Sequence, residues 1–418
     1  MDQDLNLKMG IATPAPAVEA NCPDADVQWI VTTGRRQETL RGVVAELCRH
    51  LVETGLPVAR MMLSIRMLHP LVAARGIYWR QGNAGCTEQI DRGHGVLQDD
   101  TYLKSPLRPA YEQGQTVRRR LTAPGAGDEF PILKELIDEG MTDYLVLPVR
   151  FTDGIRALTT WATDAKDGFS DADIARIGAL MPVLALLFEV HTRGELASTV
   201  LETYIGGDAG RRVLNGNIKR GDSSVIKAVL WYCDLRGFTP LSEKLDGAEL
   251  IAILNEYFQR MAAPVTAHGG EVLKFIGDAM LAIFPLASRD AETACNAALA
   301  AANEALAAMK SYSGECDACG KPGLNFGVAL HLGEVTYGNI GAPDRLDFTV
   351  IGPAVNRVVR IEEMCRQLNI ELLLSADVAK HCGAELVSAG RHPLRGVGEA
   401  LELFTLPGTR PTRTAAAQ

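Results

Sequence analysis

The chain has 418 residues, 47% hydrophobic and 22% charged, with a formal net charge of −9 at pH 7. That length allows two or three domains with their own cores, and the acidic balance gives no support to nucleic acid or an anionic membrane surface as a partner. Any phosphate-binding patch must be local. Nine cysteines, an odd number at irregular spacing, fit a reducing compartment better than a disulfide framework. The Pro/Ala-rich acidic segment 1–20 lacks the basic-then-apolar pattern of a signal peptide. The longest apolar run, Ile177 to Phe188, is too short to span a bilayer and contains Pro182. A cytoplasmic protein with no membrane span is the expectation.

In chain order, residues 1–35 read as a flexible tail. A helix follows from Arg36 to Glu53, with Leu40, Val43, Val44, Leu47 and Leu51 on one side. Arg60 to Leu68 alternates as a half-buried strand does, placing Met61, Leu63, Ile65 and Met67 on one face, and Gly76 to Arg80 reads as its partner. Tyr144 to Phe151 and Ile155 to Trp161 flank Asp153-Gly154, a favoured hairpin turn pair. Ser170 with Asp173 forms a capping box opening a helix that runs past Phe188. This order, with the stretch from Ser105-Pro106-Leu107 to Gln115-Thr116-Val117 and the closing Gly168-Phe169-Ser170-Asp171-Ala172-Asp173, resembles a GAF domain over residues 36–192. The resemblance implies an antiparallel-sheet regulatory domain with room for a small-molecule ligand, and it carries no catalytic residues. His69, His94, Trp79 and Cys86 are candidates to line a pocket there, with structural roles as the default.

Residues 193–222 turn polar and Gly-spotted, with Leu196, Val200, Leu201 and Tyr204 as a short apolar stripe suited to a coupling linker. Residues 223–407 then alternate strands and helices. Val225 to Cys233 reads as a strand, Leu245 to His268 as a helical pair, and Val272 to Ile276 with Ala279 to Phe284 as a hairpin turning at Gly277-Asp278. Asp290 to Met309 reads as a helix. Gly327 to Leu332 and Glu334 to Asn339 suggest a hairpin around Gly333, followed by a strand from Leu346 to Ile351 and a helix from Ala354 to Leu368. The fold class expected is α/β (α+β), ending in an open, ferredoxin-like sheet with helices on one face. Residues 408–418 read as a polar tail.

Asp234 and Asp278 carry the sharpest chemistry. Each lies where an apolar strand meets a Gly-containing turn. Singly, one would be a helix N-cap and the other a turn residue. Two carboxylates about 4 Å apart repel by roughly 4 kcal/mol at an effective dielectric of 20, a cost that oxygen-liganded divalent cations resolve. The turn Asp234-Leu235-Arg236-Gly237-Phe238-Thr239 aims backbone N–H groups at an anion, as a helix start does. Asn356 and Arg360 fall four apart, on one face of a helix.

Together these segments resemble the catalytic domain of class III nucleotide cyclases, over about 185 residues. The resemblance implies two divalent cations, Mg2+ or Mn2+, bound by Asp234, the Leu235 carbonyl and Asp278. It places the nucleotide's phosphates near Gly237, Phe238 and Thr239, and adenine against Lys274 and Thr349, where guanine-selective relatives carry an acidic residue and a cysteine. Asn356 would orient the ribose and Arg360 stabilise charge at the α-phosphate. Arg345 would meet the triphosphate, and Arg395 stands where relatives often have a phosphate-binding Lys. Pro353 departs from the Asp or Asn common after that Gly and removes one backbone donor. The family's carboxylates and its Lys/Thr/Asn/Arg set come from opposite subunits, which implies a homodimer making cyclic AMP from ATP. Two other readings stay open: a non-catalytic nucleotide-sensing regulatory dimer, and a guanylate cyclase. A diguanylate cyclase would call for a Gly-Gly-acidic turn where this chain has Gly277-Asp278-Ala279. Cys316-Asp317-Ala318-Cys319 is half a zinc site at most and reads as part of an ordinary loop, Ser313 to Gly323.

Overall fold

The computed structural model describes residues 24–82, 87–286, 289–318 and 323–408, and the chain divides into two compact units after Thr199. In the first unit, local caps start the helices. The Asp24 carboxylate accepts from the amides of Asp26 and Val27 and opens α1 (Ala25–Thr32), and the Thr39 hydroxyl accepts from the Gly42 amide at the start of α2 (Leu40–Glu53). Residues 24–35 are therefore not the loose tail that composition suggests. Ile30 is buried in the core, and Asp26 pairs with Arg176 at 2.6 Å and His50 at 2.9 Å.

Strands β1 (Arg60–Arg66), β2 (Ala74–Arg80) and β3 (Thr87–Arg92) precede α3 (Asp100–Leu103) and α4 (Leu107–Gln113). Then come β4 (Val117–Arg120), α5 (Pro131–Asp138), β5 (Asp143–Phe151) and β6 (Gly154–Thr163). The strands form one antiparallel sheet in the order β3-β2-β1-β6-β5-β4. The β5–β6 turn runs through Asp153-Gly154, with Gly154 at φ 122°. Ser170 and Asp173 exchange the reciprocal bonds of a capping box, at 2.8 and 3.1 Å, and start α6 (Asp171–Ile205). By length and composition α6 is apolar enough to cross a membrane. In the first unit, its Ile177, Leu180, Leu184 and Phe188 are fully buried in a core with α2 and β1. Trp79 belongs to that core, while His69 accepts from the amides of Leu71 and Val72 and its carbonyl bonds His94. These three residues play the structural roles, and Cys86 lies outside the described residues.

The segment expected as a linker is helical: α6 continues to Ile205, and α7 (Gly207–Leu214) follows a break at Gly206, φ 94°. In the second unit Ala209 is fully buried and the Arg212 guanidinium lies 5.0 Å over the Tyr337 ring. Next come β7 (Ser223–Arg236), α8 (Phe238–Ser242), α9 (Gly247–Ala267), β8 (Glu271–Ile276), β9 (Ala279–Pro285) and α10 (Ala291–Ala318). They are followed by β10 (Asn325–Ala342), β11 (Arg345–Ile351), α11 (Pro353–Leu368), β12 (Leu372–Ser375), α12 (Ala376–Ala379), β13 (Val387–His392) and β14 (Leu401–Thr405). The sheet order is β13-β14-β12-β10-β7-β9-β8, with β11 against β10, and only the β10–β12 pair is parallel. The whole chain is thus a mixed α/β fold built on two largely antiparallel sheets.

Four local readings differ from this. Residues 247–267 form one helix, capped by Asp246, rather than a pair. Helices cover both sheet faces rather than one: α9 and α10 pack on Trp231 and Cys233, and α11 on Ala228 and Leu230. Helix α10 extends to Ala318, so Cys316 is a buried helical residue and not a loop ligand; Cys319 lies outside the described residues. Gly333 makes no turn, because β10 runs straight through it against β7. A Cβ there would stand 2.5 Å from that of Ala354, so this glycine serves close approach of α11.

Candidate active site

Alternation along β7 decides where Asp234 points. Trp231, Cys233 and Leu235 pack in the core with α9 and α10, so Tyr232 and Asp234 share the face covered by α11. In register Asp234 stands opposite Gly327, whose missing side chain matters: a Cβ there would collide with the Glu362 carboxyl and come within 2.9 Å of the Cys365 Cβ. Asp278 occupies the β8–β9 turn after Gly277, φ 64°. The pairing of Cys233 with Met280 draws that turn beside Asp234. The two carboxyls meet. Burial, then the charge of Asp278 and a side-chain hydrogen bond to it, raise Asp234 to about 6. The nearest cation, Arg366, is exposed and 3.8 Å away.

Two further residues join this site that the sequence reading missed. Glu362 is 3% exposed, with one carboxyl oxygen lacking a partner, and burial followed by the charge of Asp234 raises it to about 7. Arg236 donates to the carbonyls of Cys365 and Ile370 at 2.8 and 2.6 Å, fastening the C-terminus of α11 to the strand that carries Asp234. A charged residue on the apolar side of the α11 pattern was the available signal for Glu362. Nothing local marked Arg236.

Gly237 adopts φ 77° and α8 begins at Phe238, giving the strand–turn–helix expected. Pro240 supplies no N–H in that first turn, so the amides of Phe238 and Thr239 are its donors. Lys274 on β8 pairs with Asp347 on β11 at 2.8 Å. Thr349, 4% exposed, has a hydroxyl with no partner. Asn356 and Arg360 lie on α11, with Asn356 exposed and Arg360 paired to Glu363. Pro353 occupies the first turn of α11, where a missing N–H costs nothing. Arg345 and Arg395 are exposed.

Asp234 and Thr349 stand far apart along the sheet. Asp234 faces Gly327 on β10, and Thr349 faces Gly338 on the same strand, eleven residues on, a strand contour of roughly 35 Å. Among the described residues no hydrogen bond or ion pair joins Asp234 or Asp278 to Lys274, Thr349, Asn356 or Arg360. As for cations, the described residues contain no cluster of three His, Cys, Asp or Glu side chains placed to hold a metal. The Asp234–Asp278 pair offers hard carboxylate oxygens, and its charge, met by the exposed Arg366, fits a divalent ion.

Residues 224–408 match the model of the adenylate and guanylate cyclase catalytic domain. The chain is similar to an adenylate cyclase of Anabaena cylindrica, 34% identical over 169 residues, which covers 40% of this chain and 32% of the relative. It is also similar to adenylate cyclase 1 of Rhizobium meliloti, 30% identical over 255 residues, 59% of this chain and 38% of that one. A solved bacterial light-regulated adenylyl cyclase aligns over 56% of this chain and 65% of its own, at 28% identity and a TM-score of 0.46. The chain thus spans about a third of the length of the first two relatives. The matched segment takes in the hairpin and nearly all of the strand that carry the carboxylate pair.

Proposed function

We propose that this chain is an adenylate cyclase, converting ATP to 3′,5′-cyclic AMP and pyrophosphate in a site shared by two copies. The observation that carries the reading is the meeting of Asp234 and Asp278: burial, then the charge of Asp278, raises Asp234 to about 6, and the cation beside it, Arg366, is exposed. Two divalent cations, Mg2+ or Mn2+, held by these carboxylates and the Leu235 carbonyl, would lower the pKa of the ribose 3′-hydroxyl and hold the triphosphate. The bond from the 3′-oxygen to the α-phosphorus forms as the bond to the β-phosphate oxygen breaks, and the hydroxyl proton is released. Arg360 offers a planar guanidinium to the α-phosphate oxygens, where charge is redistributed in the transition state. Asn356, one turn earlier on α11, orients the ribose. The unpartnered Thr349 hydroxyl and the Lys274 ammonium suit the acceptor-and-donor edge of adenine. Arg345 and Arg395 add charge for the triphosphate.

The distance of Thr349 from Asp234 along β10 supports a homodimer, in which one copy would supply the carboxylates and the other Lys274, Thr349, Asn356 and Arg360. The exposed apolar residues Phe275 and Ile276, beside Lys274, and Ile351, beside Thr349, suit such an interface. The antiparallel sheet of the first unit supports a GAF-like regulatory role, acting on activity through a shift in population. Incubating purified protein with ATP or GTP and Mn2+ or Mg2+, then identifying the product by mass spectrometry, tests the reading. Cyclic AMP is expected. Cyclic GMP alone would make it a guanylate cyclase, and no cyclic product would leave a nucleotide-sensing dimer.

A further inference from the structure

Strand β1 has two covered faces. Met61, Leu63 and Ile65 enter the core with α2 and α6, while Arg60, Met62, Ser64 and Arg66 border a cavity of about 770 Å3 between the sheet and α3, α4 and α5. A cavity of that size suits a small organic ligand. Much of its polar lining is already satisfied. The Tyr111 hydroxyl donates to the Ser64 carbonyl at 3.0 Å, Arg60 and Arg80 pair with Glu139, and Arg75 pairs with Asp91 and Glu195. Two groups are not. The Arg66 guanidinium lies 4.5 Å over the Tyr111 ring with its buried Nε–H unbonded, and the hydroxyl of Tyr102, a residue only 9% exposed, has no partner. Among the described residues no carboxylate pairs with Arg66, and the nearby Glu88 and Glu135 are exposed. Buried donors without acceptors are costly, and an acceptor delivered by a ligand removes that cost.

We propose that this cavity binds an organic monocarboxylate, its head group on Arg66 and the Tyr102 hydroxyl and its apolar body against Met62, Leu136 and the Tyr111 ring. The buried, unbonded edge of the Arg66 guanidinium is planar and suits a carboxylate, while Arg92, which also borders the cavity, is exposed. The ligand class deepens the regulatory reading of the first unit and rests on it for the consequence, not for binding.

Calorimetric titration of the full chain without nucleotide tests the binding, using 3-phenylpropionate and octanoate against 3-phenyl-1-propanol, 1-octanol and inorganic phosphate. The expected result is one saturable site per chain for a carboxylate, at least tenfold tighter than its alcohol. Arg66→Gln should abolish it, Arg66→Lys retain part, and Tyr102→Phe weaken it several-fold. The proposal is overturned if neither carboxylate saturates, if an alcohol binds equally well, if phosphate competes, or if folded Arg66→Gln binds unchanged. Should Arg66→Gln not fold, unchanged binding by Tyr102→Phe, which keeps the ring, overturns it. Cyclase rate with and without bound carboxylate is a separate measurement: binding at an unaltered rate refutes the regulatory reading and leaves the site standing.

Discussion

Replacing Asp234 with Asn should stabilise the cation-free protein at neutral pH. In the folded chain Asp234 sits at about 6 against an ordinary 3.8, raised first by burial and then by Asp278. Its side chain is 22% exposed, so little of that shift is screened away. A carboxyl whose folded value lies above its unfolded one favours the fold in its protonated state. That contribution is complete below pH 3.8 and is lost as pH rises through about 6. Above that, the ionised group costs the fold on the order of 3 kcal/mol. Asn resembles the protonated acid and escapes the loss. Urea or thermal unfolding in EDTA from pH 4 to 8 should therefore show the two proteins alike near pH 4. Asp234→Asn should pull ahead between pH 4 and 6.5, by roughly 6–12 °C in Tm at neutral pH. Saturating Mg2+ or Mn2+ should reverse the order, because the ion binds the folded wild type and stabilises it by mass action. A wild type that is as stable as the variant at pH 7.5 in EDTA would refute the idea that burial and Asp278 together make the ionised Asp234 costly.

Other outcomes follow from the same geometry. Asp278→Ala should abolish cyclic nucleotide formation while circular dichroism stays that of the folded chain; product above background would remove Asp278 from the cation site. Arg360→Ala should lower kcat by about 10²–10³-fold with KM changed far less, since its charge partner grows in the transition state; an equal rise in KM would mark it as a ground-state anchor. Lys274→Glu with Thr349→Cys should shift the preference from ATP toward GTP in competition assays, and an unaltered ratio would mean the base is read elsewhere. Gly333→Ala should cost about 1–3 kcal/mol in urea unfolding, because its Cβ would crowd that of Ala354; a neutral effect would show that α11 can move away.

Local signals made much of this protein legible in its sequence. The apolar stripe of α2 and the Ser170–Asp173 box identified helices, and the Asp153-Gly154 turn a hairpin, because caps, turns and periodicity act within a few residues. Asp234 and Asp278 stood out because carboxylates at the ends of apolar strands need a local reason. Tertiary structure alone decided what distant segments do to one another. Gly333 has the composition of a turn, yet it is held extended by β7 on one edge and kept small by Ala354 above it. Asp26 belongs to a stretch that reads as a tail until Arg176 and His50 claim it from far along the chain. Glu362 and Arg236 reach the candidate site only through the packing of α11 on β7, and the unanswered donors of Arg66 and Tyr102 appear only when three short helices close over a sheet. Propensity and pattern describe a residue and its neighbours in sequence. Burial, register and the partner a charge finds depend on neighbours in space, which only the folded chain supplies.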